Sequence, residues 1–253
     1  MSSLLDFTVS GTGNKTIVFI HGFLESKKMW KEIASAFADF TVYCIDLKGH
    51  GSSPEIKRDN WSIDDFALEI LRLMQQEKKP SFSIVGHSLG GYVALSMARE
   101  QFKNIEKLVL LNSHPWADSE QKKKERTLVA QFVYERKNLF IQQVIPNLFL
   151  SPENHSEEAQ RLINDAKEMS VSSIVQTTYA MRDRVDQSEC LIHLGQNALV
   201  IQGEFDPLIN ATKMEAFCLA NKINFKLING TGHMGHIEAK KEVKQVLKEF
   251  IKF

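Results

Sequence analysis

The sequence predicts an α/β protein: a mostly parallel sheet with helices on both faces, interrupted by an inserted helical cap. Three observations carry this. Short apolar runs alternate with helical runs from residue 16 to about 111, which is the pattern of βαβ units. From Pro115 to about Leu194 no strand-like run appears and helical periodicity takes over. The strand pattern then resumes at Asn197. Residues 1–114 and 195–253 are therefore assigned to one core, and 115–194 to the insertion.

Taken in order, Thr16–Ile20 is a continuous apolar run, as expected of a strand covered on both faces. It ends in His21-Gly22-Phe23, and a helical face follows with Met29, Trp30, Ile33 and Phe37. Thr41–Ile45 is the next strand, closed by the Gly- and Ser-rich loop from Asp46 to Ser53. Ser62 with Asp65 three residues on reads as a helix capping box, leading a periodic set through Ile63, Phe66, Ile70, Leu73 and Met74. Phe82–Val85 is a buried strand and Val93, Ala94, Met97 and Ala98 mark the helix after it. Lys107–Leu111 is a further strand.

The insertion shows four helical runs: Leu128 to Val133, Leu139 to Ile145, a Ser156 cap leading into Ala159 to Ala166, and Val171 to Met181. About 80 residues without a strand is too long for an ordinary loop. It is expected to lie over the active edge. Trp116, Phe132, Phe149 and Tyr179, together with Tyr134 and Phe140, are its candidates to line an apolar acyl pocket. Beyond it, Asn197–Gln202 and Asn224–Ile228 read as strands, and Val243, Val246, Leu247, Phe250 and Ile251 as a last amphipathic helix.

Composition narrows the function. The chain has 253 residues, 43% hydrophobic and 25% charged, with 31 Lys plus Arg against 31 Asp plus Glu. A net charge of zero gives no reason to expect a nucleic acid or an anionic membrane as partner. The one basic cluster, Lys122-Lys123-Lys124 with Arg126, is flanked by Glu120 and Glu125 and reads as a solvated helix face. Three widely spaced cysteines form neither a disulfide framework nor a metal site. No leader-like N-terminus and no membrane-length apolar run is evident, so a cytoplasmic protein is expected.

The chemistry centres on Gly86-His87-Ser88-Leu89-Gly90, a G-x-S-x-G pattern between a strand and a helix. A serine hydroxyl becomes a nucleophile when a base takes its proton, and that base needs a third group to orient it. Asp206 follows one late strand and precedes Pro207; His233 sits between Gly232 and Met234 after another. The order Ser88, Asp206, His233 is the one expected for such an elbow. Glu204 is a rival acid closer to the strand, and Asn112 cannot carry the charge. His236 competes with His233, but a capping or packing role suits it better, since it leads into the last helix. His87 is expected to be structural. The N–H groups of Leu89 and Phe23 are the candidate oxyanion donors, with His21 organising the loop. No phosphate-cradling or zinc spacing is present, so no metal and no cofactor is expected.

His21-Gly22-Phe23, the Asp46–Ser53 loop, Gly86–Gly91, Gly203–Pro207 and Gly232–Glu238 together resemble the α/β-hydrolase superfamily over nearly the whole chain. The resemblance implies an eight-stranded, mostly parallel sheet with a helical cap inserted after the sixth strand and a first strand within Leu4–Ser10. Members usually carry Arg where Lys48 stands here, which puts one structural contact in doubt. A Ser at the elbow points away from the dehalogenases and epoxide hydrolases, which use Asp. The implied function is a serine carboxylesterase acting on small to medium acyl esters. The alternatives are a C–C-bond hydrolase or menaquinone-pathway-type lyase on the same triad, and a ligand-binding receptor on a hydrolase scaffold. The expected partner is a small-molecule ester; oligomeric state is not readable.

Overall fold

The computed structural model describes residues 5–252. Its sheet has seven strands: β1 (Phe7–Ser10), β2 (Thr16–Ile20), β3 (Thr41–Ile45), β4 (Phe82–His87), β5 (Ile105–Leu111), β6 (Ala198–Gly203) and β7 (Asn224–Ile228). The spatial order is β1-β3-β2-β4-β5-β6-β7. Only β1 runs antiparallel to its neighbour. The eight strands implied by resemblance are thus corrected to seven, and the helical insertion follows the fifth strand, not the sixth. Five residues join β1 directly to β2, so one short antiparallel strand forms that edge. Leu4, the start of the expected first strand, lies outside the described residues.

Side-chain alternation along the strands builds two cores. Val18, Ile20, Ile84, Leu108, Leu110 and Val200 face one side, against α2 (Ile63–Gln76), α3 (Leu89–Glu100) and α8 (Ala211–Ala220). Ile17, Phe19, Val85, Val109, Leu199 and Ile201 face the other, against Trp30, α1 (Lys31–Ala34) and α10 (Lys240–Lys252). Both faces are covered, which is why these strands read as unbroken apolar runs.

The capping box at α2 is present: Ser62 Oγ accepts the Asp65 N–H at 3.1 Å and Asp65 Oδ2 accepts the Ser62 N–H at 2.9 Å. The Ser156 cap is corrected. Ser156 is the first residue of α5 (Ser156–Lys167), and His155 precedes it without a side-chain cap. The first two helical runs of the insertion form α4 (Glu120–Val144), broken by non-helical backbone at Arg136. α6 (Val171–Arg182) follows as expected. α7 (Ser188–Leu194) was not apparent from pattern; its Leu191 and Leu194 join the core around α3. Ala130, Val133, Ile141, Ile163 and Ile174 give α4–α6 an apolar core of their own, to which Leu24 and Met234 also belong. Among the described residues no helix is long and apolar enough to cross a membrane.

The chain runs from β2 outward to β3, then returns across β2 to β4. The sheet therefore reverses direction between β2 and β4, and in open parallel sheets the crevice at such a reversal is where ligands bind. Here it brings the loop after β2 beside the turn after β4.

Candidate active site

Ser88 occupies that turn with φ 48° and ψ −113°, a strained conformation for a non-glycine residue. The tightness explains the preceding glycine: a Cβ on Gly86 would lie 2.3 Å from the Gly90 carbonyl oxygen. The Ser88 N–H donates to Leu111 O on β5, and its carbonyl accepts from Ser113 Oγ at 2.7 Å. The elbow is thus held from both sides while α3 begins at Leu89. The Leu89 N–H is one of the free donors at a helix start.

His233 follows β7, and its Nδ1 lies 2.8 Å from Asp206 Oδ2, with both side chains buried. Asp206 is surrounded by donors. Asn112 Nδ2 and Gln202 Nε2 each donate to Oδ2 at 2.9 Å, and the Leu208 and Ile209 N–H groups donate to Oδ1. Burial alone would raise this carboxyl, but His233 and these hydrogen bonds hold it down to about 2. Glu204, the rival acid, instead accepts the Gly230 N–H at 2.9 Å. The His233 N–H donates to Leu148 O at 2.8 Å, and Asn112 Nδ2 reaches Gly232 O. The insertion therefore helps to seat the histidine loop.

His21 has the organising geometry: Nδ1 donates to Gly22 O at 2.7 Å and Nε2 accepts the Leu47 N–H at 2.9 Å. Burial lowers its pKa, in keeping with that neutral tautomer. Lys27, whose Nζ lies 2.6 Å from Asp46 Oδ2, is the cation that fixes the loop after β3. Sequence spacing gave no sign of this role.

Ser88 and His233 open into a cavity of about 580 Å³ whose walls include Phe23, Trp116, Phe140 and Val144. Of the expected aromatics, Trp116 is there, stacked on His114 at 5.2 Å with Lys213 Nζ 4.1 Å from its ring centre. Tyr179 lines a neighbouring cavity of about 630 Å³, together with Trp61, Tyr134 and Arg182. Tyr92 and His114 belong to both walls. Phe132 and Phe149 are corrected. They pack among the apolar side chains of the insertion and line neither cavity: Phe132 sits on α4, and Phe149, in extended backbone beyond that helix, stacks on His155. His87, expected to be structural, and His236, expected to pack, prove to share a buried partner that the sequence did not reveal: His87 Nδ1 lies 2.7 Å from Glu25 Oε2, with His236 against both. Glu25 carried no motif, and the contact spans 62 positions.

The model of the alpha/beta hydrolase fold family matches residues 15–240. The chain belongs to this family. Among curated relatives of this α/β-hydrolase, an abhydrolase domain-containing protein of Schizosaccharomyces pombe is 34% identical over 103 residues, 40% of this chain and 37% of the relative. A 2-succinyl-6-hydroxy-2,4-cyclohexadiene-1-carboxylate synthase of Escherichia coli O7:K1 is 33% identical over 110 residues, 44% of this chain and 43% of the relative. The matched stretch thus spans less than half the length of these relatives. Among solved structures, a thermophilic esterase from Thermogutta terrifontis with malate bound superposes with a TM-score of 0.90 at 26% identity, covering 98% of this chain and 93% of the other. An enol-lactonase from Burkholderia xenovorans LB400 superposes at 0.89 with 20% identity, covering 98% and 96%, a likeness of fold alone.

Proposed function

We propose that this α/β-hydrolase is a serine carboxylesterase cleaving esters of small to medium acyl groups through an acyl-enzyme on Ser88. The observation that carries the reading is the His233–Asp206 pair at 2.8 Å opening with Ser88 into one cavity with apolar walls. Asp206 Oδ2 holds the proton on Nδ1 of His233, leaving Nε2 as the base. Ser88 Oγ–H passes its proton to Nε2 as the oxygen attacks the ester carbonyl. The N–H groups of Phe23 and Leu89 stabilise the oxyanion. The tetrahedral species then expels the alcohol, which takes the proton from His233. Water, activated by the same histidine, releases the acid and regenerates Ser88. The insertion serves as a cap that sizes the acyl site through Trp116 and Phe140.

The charge around the cavity favours a neutral or singly charged ester over a polyanion. Of the cations lining the Ser88 cavity, Arg126 is committed to Asp118 and Lys122 to Glu125, while Lys213 lies over the Trp116 ring; in the neighbouring cavity Arg184 pairs with Asp118 and Arg182 with Asp183. The partial match to the cyclohexadiene carboxylate synthase keeps lyase chemistry on the same residues as the second reading. Hydrolysis of a p-nitrophenyl ester series by wild type and Ser88→Ala separates the two. Turnover that peaks at short to medium chains and vanishes in S88A is expected. A folded wild type with no turnover across the series overturns the esterase reading.

A further inference from the structure

Three loops meet behind Ser88 on a buried pair that the reaction steps above do not use. Glu25 lies two residues beyond Phe23, and His87 immediately precedes the nucleophile; both are almost wholly buried. Glu25 Oε2 accepts the Gly22 N–H at 2.7 Å and faces His87 Nδ1 at 2.7 Å. His87 Nε2 lies 3.1 Å from the backbone carbonyl oxygen of His233. The fit is close: a Cβ on Gly22 would come within 2.4 Å of Glu25 Oε2 and 2.7 Å of His87 Nδ1.

Proton bookkeeping decides the state of this group. A carbonyl oxygen only accepts, so Nε2 of His87 must carry a proton to bond His233 O. Glu25 Oε2 already accepts the Gly22 N–H, which suits a carboxylate oxygen and not the hydroxyl of a protonated acid, so the proton of the Nδ1 contact belongs to the ring as well. A neutral imidazole has one N–H and cannot serve both. We propose that His87 is an imidazolium paired with the Glu25 carboxylate. This buried ion pair is a positioning element that sets the oxyanion loop and the His233 loop against Ser88. The proposal rests on the hydrolase reading for its effect on turnover, but not for the charge itself.

The surroundings agree. Burial opposes charge on His87, yet the Glu25 carboxylate and the His233 carbonyl lift it above the ordinary histidine value. Burial likewise opposes charge on Glu25, but His87 and His236 hold it well below the usual carboxylate range. From α9 (Gly235–Glu238), the short helix beyond β7, His236 sits edge-on to the His87 ring at 4.7 Å, its Nε2 3.2 Å from Glu25 Oε1, and burial lowers its pKa. The His233 ring is 5.1 Å from that of His87, and Asp206 acts from beyond it. His21, in the loop after β2, is lowered by burial. The ligand-type atoms of Glu25, His87 and His236 lie within 4.8 Å of one another, but a metal there would have to displace the Glu25–His87 hydrogen bond.

Glu25→Gln tests the pair because an isosteric amide cannot satisfy all three contacts. An oxygen at the Oε2 position keeps the Gly22 N–H but forces the single His87 proton onto Nδ1, turning Nε2 lone pair to lone pair against His233 O. A nitrogen there restores His87 and opposes the Gly22 N–H. The first measurement is the protonation of His87 by NMR of ¹⁵N-histidine-labelled wild type at neutral pH, where a histidine of ordinary value, near 6.5, is mostly neutral. Both ring nitrogens should be protonated; a singly protonated His87 overturns the proposal. The second compares wild type and E25Q for hydrolysis of p-nitrophenyl butyrate and for the rate at which an organophosphonate labels Ser88. E25Q should lose roughly tenfold to a hundredfold in kcat and in labelling rate with KM nearly unchanged. The wild-type kcat should fall at alkaline pH in step with His87 deprotonation, a limb that E25Q lacks. A folded E25Q with wild-type kcat and pH profile overturns the positioning role. Should E25Q not fold, a wild-type alkaline limb unrelated to the His87 titration does the same. Turnover surviving in Ser88→Ala would defeat the hydrolase reading alone, leaving the His87 titration to stand by itself.

Discussion

At the residue scale, Asp206 ties the candidate site to stability. Its folded pKa is depressed to about 2 from an ordinary 3.8. A depressed carboxylate stabilises the fold above its unfolded value, and that stabilisation fades as pH falls through the folded value. The shift corresponds to about 2 kcal/mol at neutral pH; the side chain is buried, so solvent screening removes little of it. Urea unfolding of wild type and Asp206→Asn should therefore show a stability gap that narrows by about 1 kcal/mol between about pH 6 and about pH 3. A gap independent of pH would mean that Asp206 is not held ionised by His233. The placement of Ser88, Asp206 and His233 beyond the ends of β4, β6 and β7 was legible in the sequence because each follows its own strand within a short local pattern. Glu25 and His87 were not. Their pairing depends on the crossover that lays the loop after β2 against the turn after β4, and no local spacing encodes it.

At the element scale, the strands were legible where both faces are covered, as in β2 and β4, because burial demands apolar residues at every position. The capping box of α2 was legible because it is a four-residue device. Ser62→Ala removes the acceptor for the Asp65 N–H and should cost about 1 kcal/mol of stability, read as a lower Tm with kcat unchanged. A loss of activity at unchanged Tm would instead tie α2 to the site. No helix was expected between β6 and β7, where α8 runs. Only Met214 and Cys218 of α8 are buried, while Leu219 is 80% exposed, so its apolar periodicity is blurred. In α4 the two helical runs were visible as separate pieces because the Arg136 break resets the phase between them.

At the scale of the whole molecule, the insertion and the sheet edge enclose two cavities, and a thin wall divides them. Tyr92 from α3 and His114 from the end of the first core segment line both, with the phenol oxygen 3.3 Å from His114 Nε2. The Trp116 N–H donates to His114 Nδ1 at 3.2 Å, so the Nε2–H donates to the Tyr92 oxygen. Burial and the nearby Arg184 push His114 down to about 3, which keeps that tautomer neutral. Arg184 braces the other face of Tyr92, its guanidinium 4.2 Å from the ring centre. The wall is thus a fixed partition, and on the proposed esterase reading it caps the length of an acyl group reaching from Ser88. Tyr92→Ala removes the phenol and joins spaces of about 580 and 630 Å³. The variant should lose about 2 to 4 kcal/mol of stability from the deleted ring and should extend the p-nitrophenyl ester profile to longer chains, with KM for long esters falling and kcat for short ones little changed. A chain-length profile identical to wild type would place the length limit elsewhere, at Phe140 and Val144 on the side of the insertion.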